Sequence, residues 1–129
     1  MVFRMRKIAL VLSLMALFTL AACDLGGGGG APNTLTMGGS NFVGATSFTI
    51  TAGQSITFDD PSSSGGIHHL VTGSNGQFSA QAGAPSEFAT ADGINFNPGD
   101  SKIITFPTAG TFTITCTIHP SMQATITVS

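Results

Sequence analysis

The stretch FPTAGTFTITCTIHPSMQATITV, residues 106–128, carries most of the information about the fold of this 129-residue chain. Apolar residues alternate with threonine from Thr111 to Cys116, which is the two-residue period of a half-buried β-strand. A second alternating run, Ala124 to Val128, follows directly after Met122. The stretch therefore predicts two strands joined by a short loop.

The same alternation recurs in short runs upstream of this stretch. The predicted runs are Phe48-Ile50-Ala52 on one face, Ile56 and Phe58, His68-Leu70-Thr72 on one face, and Ile103 to Phe106. Ser74 to Asp100 is less regular and predicts loops that Phe78, Phe88, Ile94 and Phe96 anchor to the core. A short helical turn is predicted at Ala84 to Ala89 and a tight turn at Asn97 to Asp100. Short strands between turns predict an all-β Greek-key sandwich or barrel.

The N-terminal segment has the composition of a targeting signal. A basic start is followed by an apolar run of 15 residues, Ile8 to Ala22, whereas a membrane span needs about 20. This pattern predicts a secretory signal peptide over residues 1–22. Leu-Ala-Ala directly before Cys23 resembles a bacterial lipoprotein signal, in which that cysteine is lipidated. The alternative is an ordinary signal peptide beside an uninvolved cysteine.

Residues 23–32 follow as a glycine-rich tether with five consecutive glycines, so the folded domain is predicted over residues 33–129. We therefore expect an extracytoplasmic protein, periplasmic or on an outer face, held to a bacterial membrane by lipid. Loss of residues 1–22 leaves Lys102 against six acidic residues, a formal charge of −5. No basic patch exists on such a chain, which argues against a nucleic-acid partner.

Four metal-binding side chains, one of them either His68 or His69, form a candidate site. Cys116, His119 and Met122 follow one another at three-residue spacing, and the remaining two of the three histidines, His68 and His69, are adjacent upstream. Soft sulfur donors beside imidazoles favour copper over magnesium or calcium. The alternatives are a buried inert cysteine and a methionine that only fills the core. The concentration of every histidine in these two motifs favours the metal site.

These motifs resemble a known family of copper proteins. Residues 106–128, with their Cys-x2-His-x2-Met spacing, resemble the C-terminal half of a plastocyanin/amicyanin-type cupredoxin, and the loop has the short amicyanin length. Residues 48–58, FTITAGQSITF, resemble the strand-turn-strand that precedes the first ligand histidine of the family. The resemblance covers most of residues 41–129, and the two motifs together are more specific than either alone.

The resemblance implies a type 1 blue-copper site with one ion per chain that alternates between Cu(I) and Cu(II). Cys116 would be the thiolate ligand, His68 and His119 the imidazoles, and Met122 the weak axial ligand. His69 is the alternative to His68. In the family an Asn usually follows the first ligand histidine, and aligning the chain this way puts His69 in the Asn position, where it would hydrogen-bond across to the ligand loop.

The predicted function is that of a membrane-tethered, monomeric electron carrier between unidentified redox proteins, with no enzymatic activity. In relatives the C-terminal ligand histidine reaches an apolar surface and passes the electron, a role that falls to His119 beside Pro120. A copper storage or delivery protein would use the same ligands. Multicopper oxidases and nitrite reductases need further copper centres and more than the three histidines of this chain.

Overall fold

The computed structural model describes residues 33–129. The predicted signal peptide over residues 1–22, the predicted lipidation of Cys23 and the tether to residue 32 lie outside the described residues and stay predictions. Among residues 33–129, no helix is both long enough and apolar enough to cross a membrane.

The described chain is built from short strands, as the alternation predicts. The strands are β1 Thr34–Met37, β2 Phe42–Val43, β3 Ser47–Ile50, β4 Ser55–Asp59, β5 His68–Ser74, β6 Gln77–Phe78, β7 Ile94–Phe96, β8 Ser101–Thr105, β9 Gly110–Cys116 and β10 Gln123–Val128. No helix forms in this part of the chain. The prediction of an all-β sandwich is confirmed.

Two sheets hold these strands. One has the order β2-β1-β4-β8, and the other runs β3-β10-β9-β5-β6, with β7 also paired to β5. The β1–β4 and β3–β10 pairs are parallel, and the remaining pairs are antiparallel. Strands far apart in sequence therefore lie side by side, and β5 comes to lie next to β9.

The inner faces of the sheets supply the core. Alternate residues of β9 and β10 are buried, among them Phe112, Ile114 and Ile126. Phenylalanine side chains fill much of the space, and the rings of Phe58 and Phe88 lie 5.0 Å apart between centroids. Burial of an aromatic ring is worth several kcal/mol, so these contacts dominate the packing.

The irregular segment between β5 and β8 differs in part from its prediction. Of its expected anchors, Phe88, Ile94 and Phe96 are buried, but the prediction for Phe78 is wrong because that side chain is 36% exposed on β6. The short helical turn predicted at Ala84 to Ala89 forms as two successive i→i+3 hydrogen bonds, in which Phe88 and Ala89 N–H donate to the Pro85 and Ser86 carbonyls, and it does not extend into a helix.

Two strands begin or end at residues other than those predicted, and one predicted turn forms. Strand β3 ends at Ile50, so Ala52 lies exposed in a turn rather than on the buried face of the strand. The strand predicted to start at Ile103 starts two residues earlier, at Ser101. The tight turn at Asn97 forms, and the Asn97 backbone N–H donates to the Asp100 carboxylate and lowers the pKa of that group.

Candidate metal centre

Strand pairing places the upstream histidine and the cysteine on the same face of one sheet. Strands β5 and β9 are antiparallel with Leu70 opposite Cys116. His68 lies two residues before Leu70, and residues two apart on a strand point the same way. His68 and Cys116 are both almost fully buried. The core face at this end of the sheet therefore carries both side chains.

The loop between β9 and β10 brings the other two candidate ligands back toward Cys116. Cys116 N–H donates to the Met122 carbonyl over 3.1 Å, and Met122 N–H donates to the His119 carbonyl over 2.9 Å. These bonds close the loop over residues 116–122 into a compact turn. The Met122 side chain is buried and His119 is half-buried.

Two donor atoms in the loop, the cysteine sulfur and one imidazole nitrogen, lie close together. Cys116 Sγ lies 3.7 Å from His119 Nδ1. Metal–sulfur and metal–nitrogen bonds of about 2.3 and 2.0 Å, as zinc makes, at a trigonal angle put the two donors about 3.7 Å apart. This pair is therefore already at the separation that a shared ion requires.

The His68 ring lies next to the His119 ring, and one nitrogen of His68 has no hydrogen-bond partner among the described residues. The two ring centroids are 5.3 Å apart. His68 Nδ1 donates to Asp60 Oδ2 over 3.0 Å, and His68 Nε2 is buried without a hydrogen-bond partner among the described residues. An unpartnered buried polar atom costs about 1–3 kcal/mol, which a metal bond would offset.

His69 is engaged through both of its ring nitrogens. Its Nε2 lies 2.8 Å from the Asp92 carbonyl, and its Nδ1 lies 2.7 Å from the Thr117 hydroxyl. A carbonyl only accepts, so Nε2 carries the proton and Nδ1 of the neutral ring accepts from Thr117. No lone pair of His69 remains for a metal. Of the two adjacent histidines, His68 is the one with a ring nitrogen available to a metal. His69 instead hydrogen-bonds to Thr117, the residue after Cys116.

The donor set fits a copper ion in its chemistry and in part in its geometry. A thiol, two imidazoles and a thioether, from Cys116, His119, His68 and Met122, are the donors that suit both oxidation states of copper. Among residues 33–129, no three His, Cys, Asp or Glu side chains stand close enough together to hold an ion. The Cys116–His119 pair is at the separation that a shared ion requires, and the His68 ring lies beside this pair.

Asp60 is a site residue that sequence reasoning missed. It lies directly after β4, is fully buried and accepts the hydrogen bond from His68. Carboxylates that hold the second nitrogen of a ligating histidine fix the orientation of its ring. No spacing rule in the sequence links an aspartate to a histidine eight residues later. Only its placement beside a predicted ligand after folding reveals its role.

Comparison with known proteins adds a fold relationship to this geometry. No protein-family model matches the chain, and no curated protein matches it. An oxidised amicyanin variant has a TM-score of 0.54 at 15% identity, over 76% of this chain and 82% of that one. An amicyanin variant solved in its Cu(I) form gives 0.53 at 16% identity, over 74% and 80%. Amicyanin from Paracoccus versutus gives 0.51 at 18% identity, over 74% and 79%.

These structural relationships establish the fold of the described domain. The chain has an amicyanin-like cupredoxin fold. The resemblance that residues 106–128 suggested is confirmed at the level of the fold.

Proposed function

We propose that this protein binds one copper ion per chain and carries single electrons between redox partners outside the cytoplasm. The observation that carries the proposal is the 3.7 Å separation of Cys116 Sγ and His119 Nδ1, with the His68 ring 5.3 Å from the His119 ring. The amicyanin-like fold supports it further, since one of those relatives was solved in its Cu(I) form.

The ligands in this proposal are Cys116, His119, His68 and Met122. Bound copper would supply a one-electron couple between Cu(I) and Cu(II). Cys116 and Met122 are buried on the core side, so the packing around them excludes water and limits their movement. Asp60 holds one nitrogen of His68, which fixes the ring on the other side. Donors held in this way reorganise little when the charge of the ion changes.

His119 is the proposed route by which electrons enter and leave. It is half-buried, and its neighbours Ile118 and Pro120 are exposed. Ile67, next to His68 in the chain, is also exposed, at 58%. Apolar exposed residues beside a redox centre suit brief contact with a protein partner, because little polar surface must be desolvated. Within residues 33–129 the only lysine or arginine is Lys102, so the proposed partner encounter does not depend on strong electrostatic steering.

The site is proposed to act without catalysis, in a monomer held to a membrane by lipid on Cys23. The sequence of residues 1–23 supports the lipid anchor. The donor set supports electron transfer without a catalysed reaction. In this proposal the His68–Asp60 pair orients a ligand and performs no acid–base step.

One observation favours a second candidate function, copper storage or delivery. His68 is directed to Asp60, and no three-donor group of His, Cys, Asp or Glu is assembled within the described residues. A donor set that is not closely assembled before the metal binds suits metal that is exchanged. Such a protein would use the same ligands but would release copper readily to a chelator.

Loading the protein with Cu(II) separates the two candidates. The electron carrier is expected to give an intense visible thiolate-to-copper band and reversible one-electron voltammetry. A protein that binds only Cu(I), stays colourless under oxidant and yields its metal within seconds would be a delivery protein. A preference for zinc over copper would contradict both.

A further inference from the structure

The turn between β5 and β6 reaches across to the ligand loop. Asn75 and Gly76 form this turn, with φ of 53° and 70°. Two consecutive residues at positive φ are typical of the type I′ hairpin turn, for which Asn-Gly is a preferred sequence. The flanking residues Ser74 and Gln77 are paired. The turn is therefore a rigid two-residue tip rather than a long loop.

This tip touches the metal-binding stretch at three places. Gly76 N–H donates to Thr115 Oγ1 over 2.7 Å, and Gln123 Nε2 donates to Asn75 Oδ1 over 3.1 Å. A side-chain carbon at Gly76 would lie 3.0 Å from Pro120 Cα, Cβ and Cγ, so the backbone of the turn packs directly on that proline.

Each contact falls one residue from a proposed ligand. Thr115 precedes Cys116, Pro120 follows His119, and Gln123 follows Met122. Asn75 and Gly76 thus brace the ligand loop at its start, middle and end. Two hydrogen bonds close the loop on itself, and Thr117 N–H ties its beginning to β5 by donating to the His69 carbonyl over 2.9 Å. The contacts with the turn add ties at Pro120 and Gln123, so that the middle and end of the loop are also held to the β5–β6 hairpin, whose first strand carries His68.

We propose that the Asn75–Gly76 turn is a clamp that positions the three loop ligands relative to His68. The proposal rests on the copper function proposed above. The clamp residues touch no metal; they act through Thr115, Pro120 and Gln123. Weakening the clamp should therefore shift the reduction potential and the visible spectrum of the copper form, with only a small change in the free energy of unfolding of the domain.

Gly76→Ala tests the clamp, and Gly44→Ala is its matched control. Both glycines have similar positive φ, 70° and 79°, so alanine brings comparable backbone strain to each. An added Cβ at Gly44 meets nothing within 4 Å, whereas at Gly76 it presses on the backbone of Pro120. A difference between the two variants therefore reports on the contact and not on strain.

Two measurements on the full chain follow from this design. In the copper form, Gly76→Ala is expected to shift the reduction potential and the visible band, with Gly44→Ala indistinguishable from the parent. In the metal-free form, hydrogen exchange at the hydrogen-bonded amides of Thr117 and Met122 is expected to rise at least about fivefold in Gly76→Ala and to stay unchanged in Gly44→Ala. Gln123→Ala leaves the backbone of the turn intact and should change the copper properties and the amide exchange in the same direction. It replaces Gly76→Ala as the test if that variant does not fold.

The outcomes separate the clamp from the proposed function. Equal behaviour of Gly76→Ala and Gly44→Ala in both measurements, with no effect of Gln123→Ala, would overturn the clamp and leave the copper site standing. A parent protein that shows no visible band would end the blue-copper proposal. Amide hydrogen exchange at Thr117 and Met122 would then still decide whether the turn braces the loop.

Discussion

His68 Nδ1 lies 3.0 Å from Asp60 Oδ2, and both side chains are fully buried. Asp60 directly follows β4 of one sheet, and His68 is the first residue of β5 in the other sheet. The hydrogen bond therefore joins the two sheets at the proposed metal site. It also determines which ring nitrogen of His68 is left for an ion.

Asp60→Asn is expected to weaken copper binding about 10- to 100-fold, the usual cost of removing a group that orients a ligand. An amide is a weaker acceptor for the imidazole N–H than a carboxylate, so the ring is held less firmly. Competition with a copper chelator measures the affinity. Asp59→Asn, at the adjacent and less buried position, is the control and should bind as the parent does. Equal affinities for the two variants would remove Asp60 from the site.

His68→Asn should abolish the visible band of the copper form, and His69→Asn should preserve it. His69 already uses both nitrogens in hydrogen bonds to Thr117 and Asp92, whereas His68 has a free one. Absorption spectra of the two copper-loaded variants make the comparison. If His69→Asn loses the band while His68→Asn keeps it, the ligand assignment is reversed.

Met122→Leu is expected to keep the colour of the copper form and to raise its reduction potential. Loss of a weak axial donor disfavours Cu(II) more than Cu(I), and each tenfold change in their relative affinity corresponds to about 59 mV. Voltammetry gives the potential. Met37→Leu, at another fully buried methionine in β1, is the control and should leave the potential unchanged. A shift of equal size in both variants would make Met122 a core residue only.

Phe88→Ala should destabilise the metal-free domain by about 3–5 kcal/mol, because it removes a fully buried ring that packs on Phe58. Phe78→Ala, in the same irregular segment but partly exposed, should cost much less. Urea unfolding followed by circular dichroism measures both. Similar losses for the two variants would mean that Phe88 does not anchor this segment to the core.

Alternation along the chain predicts the fold well wherever one face of a strand is buried. Phe112, Ile114 and Cys116 alternate with threonine and occupy the buried face of β9. The same reasoning fails at Ala52. The alternating pattern continues to that residue, but β3 ends at Ile50 because a turn follows. Strand β6 shows no such period. Strand β7 alternates over its three residues, but a run that short does not identify a strand in the sequence, and pairing with β5 defines both strands.

The candidate ligands could be predicted from local spacing, but their supports could not. Cys116, His119 and Met122 lie within one short stretch, so the sequence shows them together. Asp60 and Asn75 reach the site only through the pairing of distant strands. A hydrogen bond between residues so placed depends on register and on the direction of each side chain, and neither follows from composition or period.

The most direct test of the copper proposal is the visible and paramagnetic resonance spectrum of the full chain titrated with Cu(II), recorded beside Cys116→Ser. We expect the parent to saturate at one ion per chain with an intense visible band, and the variant to show none while keeping the circular dichroism of a β-protein. A parent that stays colourless at saturation, or a band that survives in Cys116→Ser, would contradict a copper–thiolate centre.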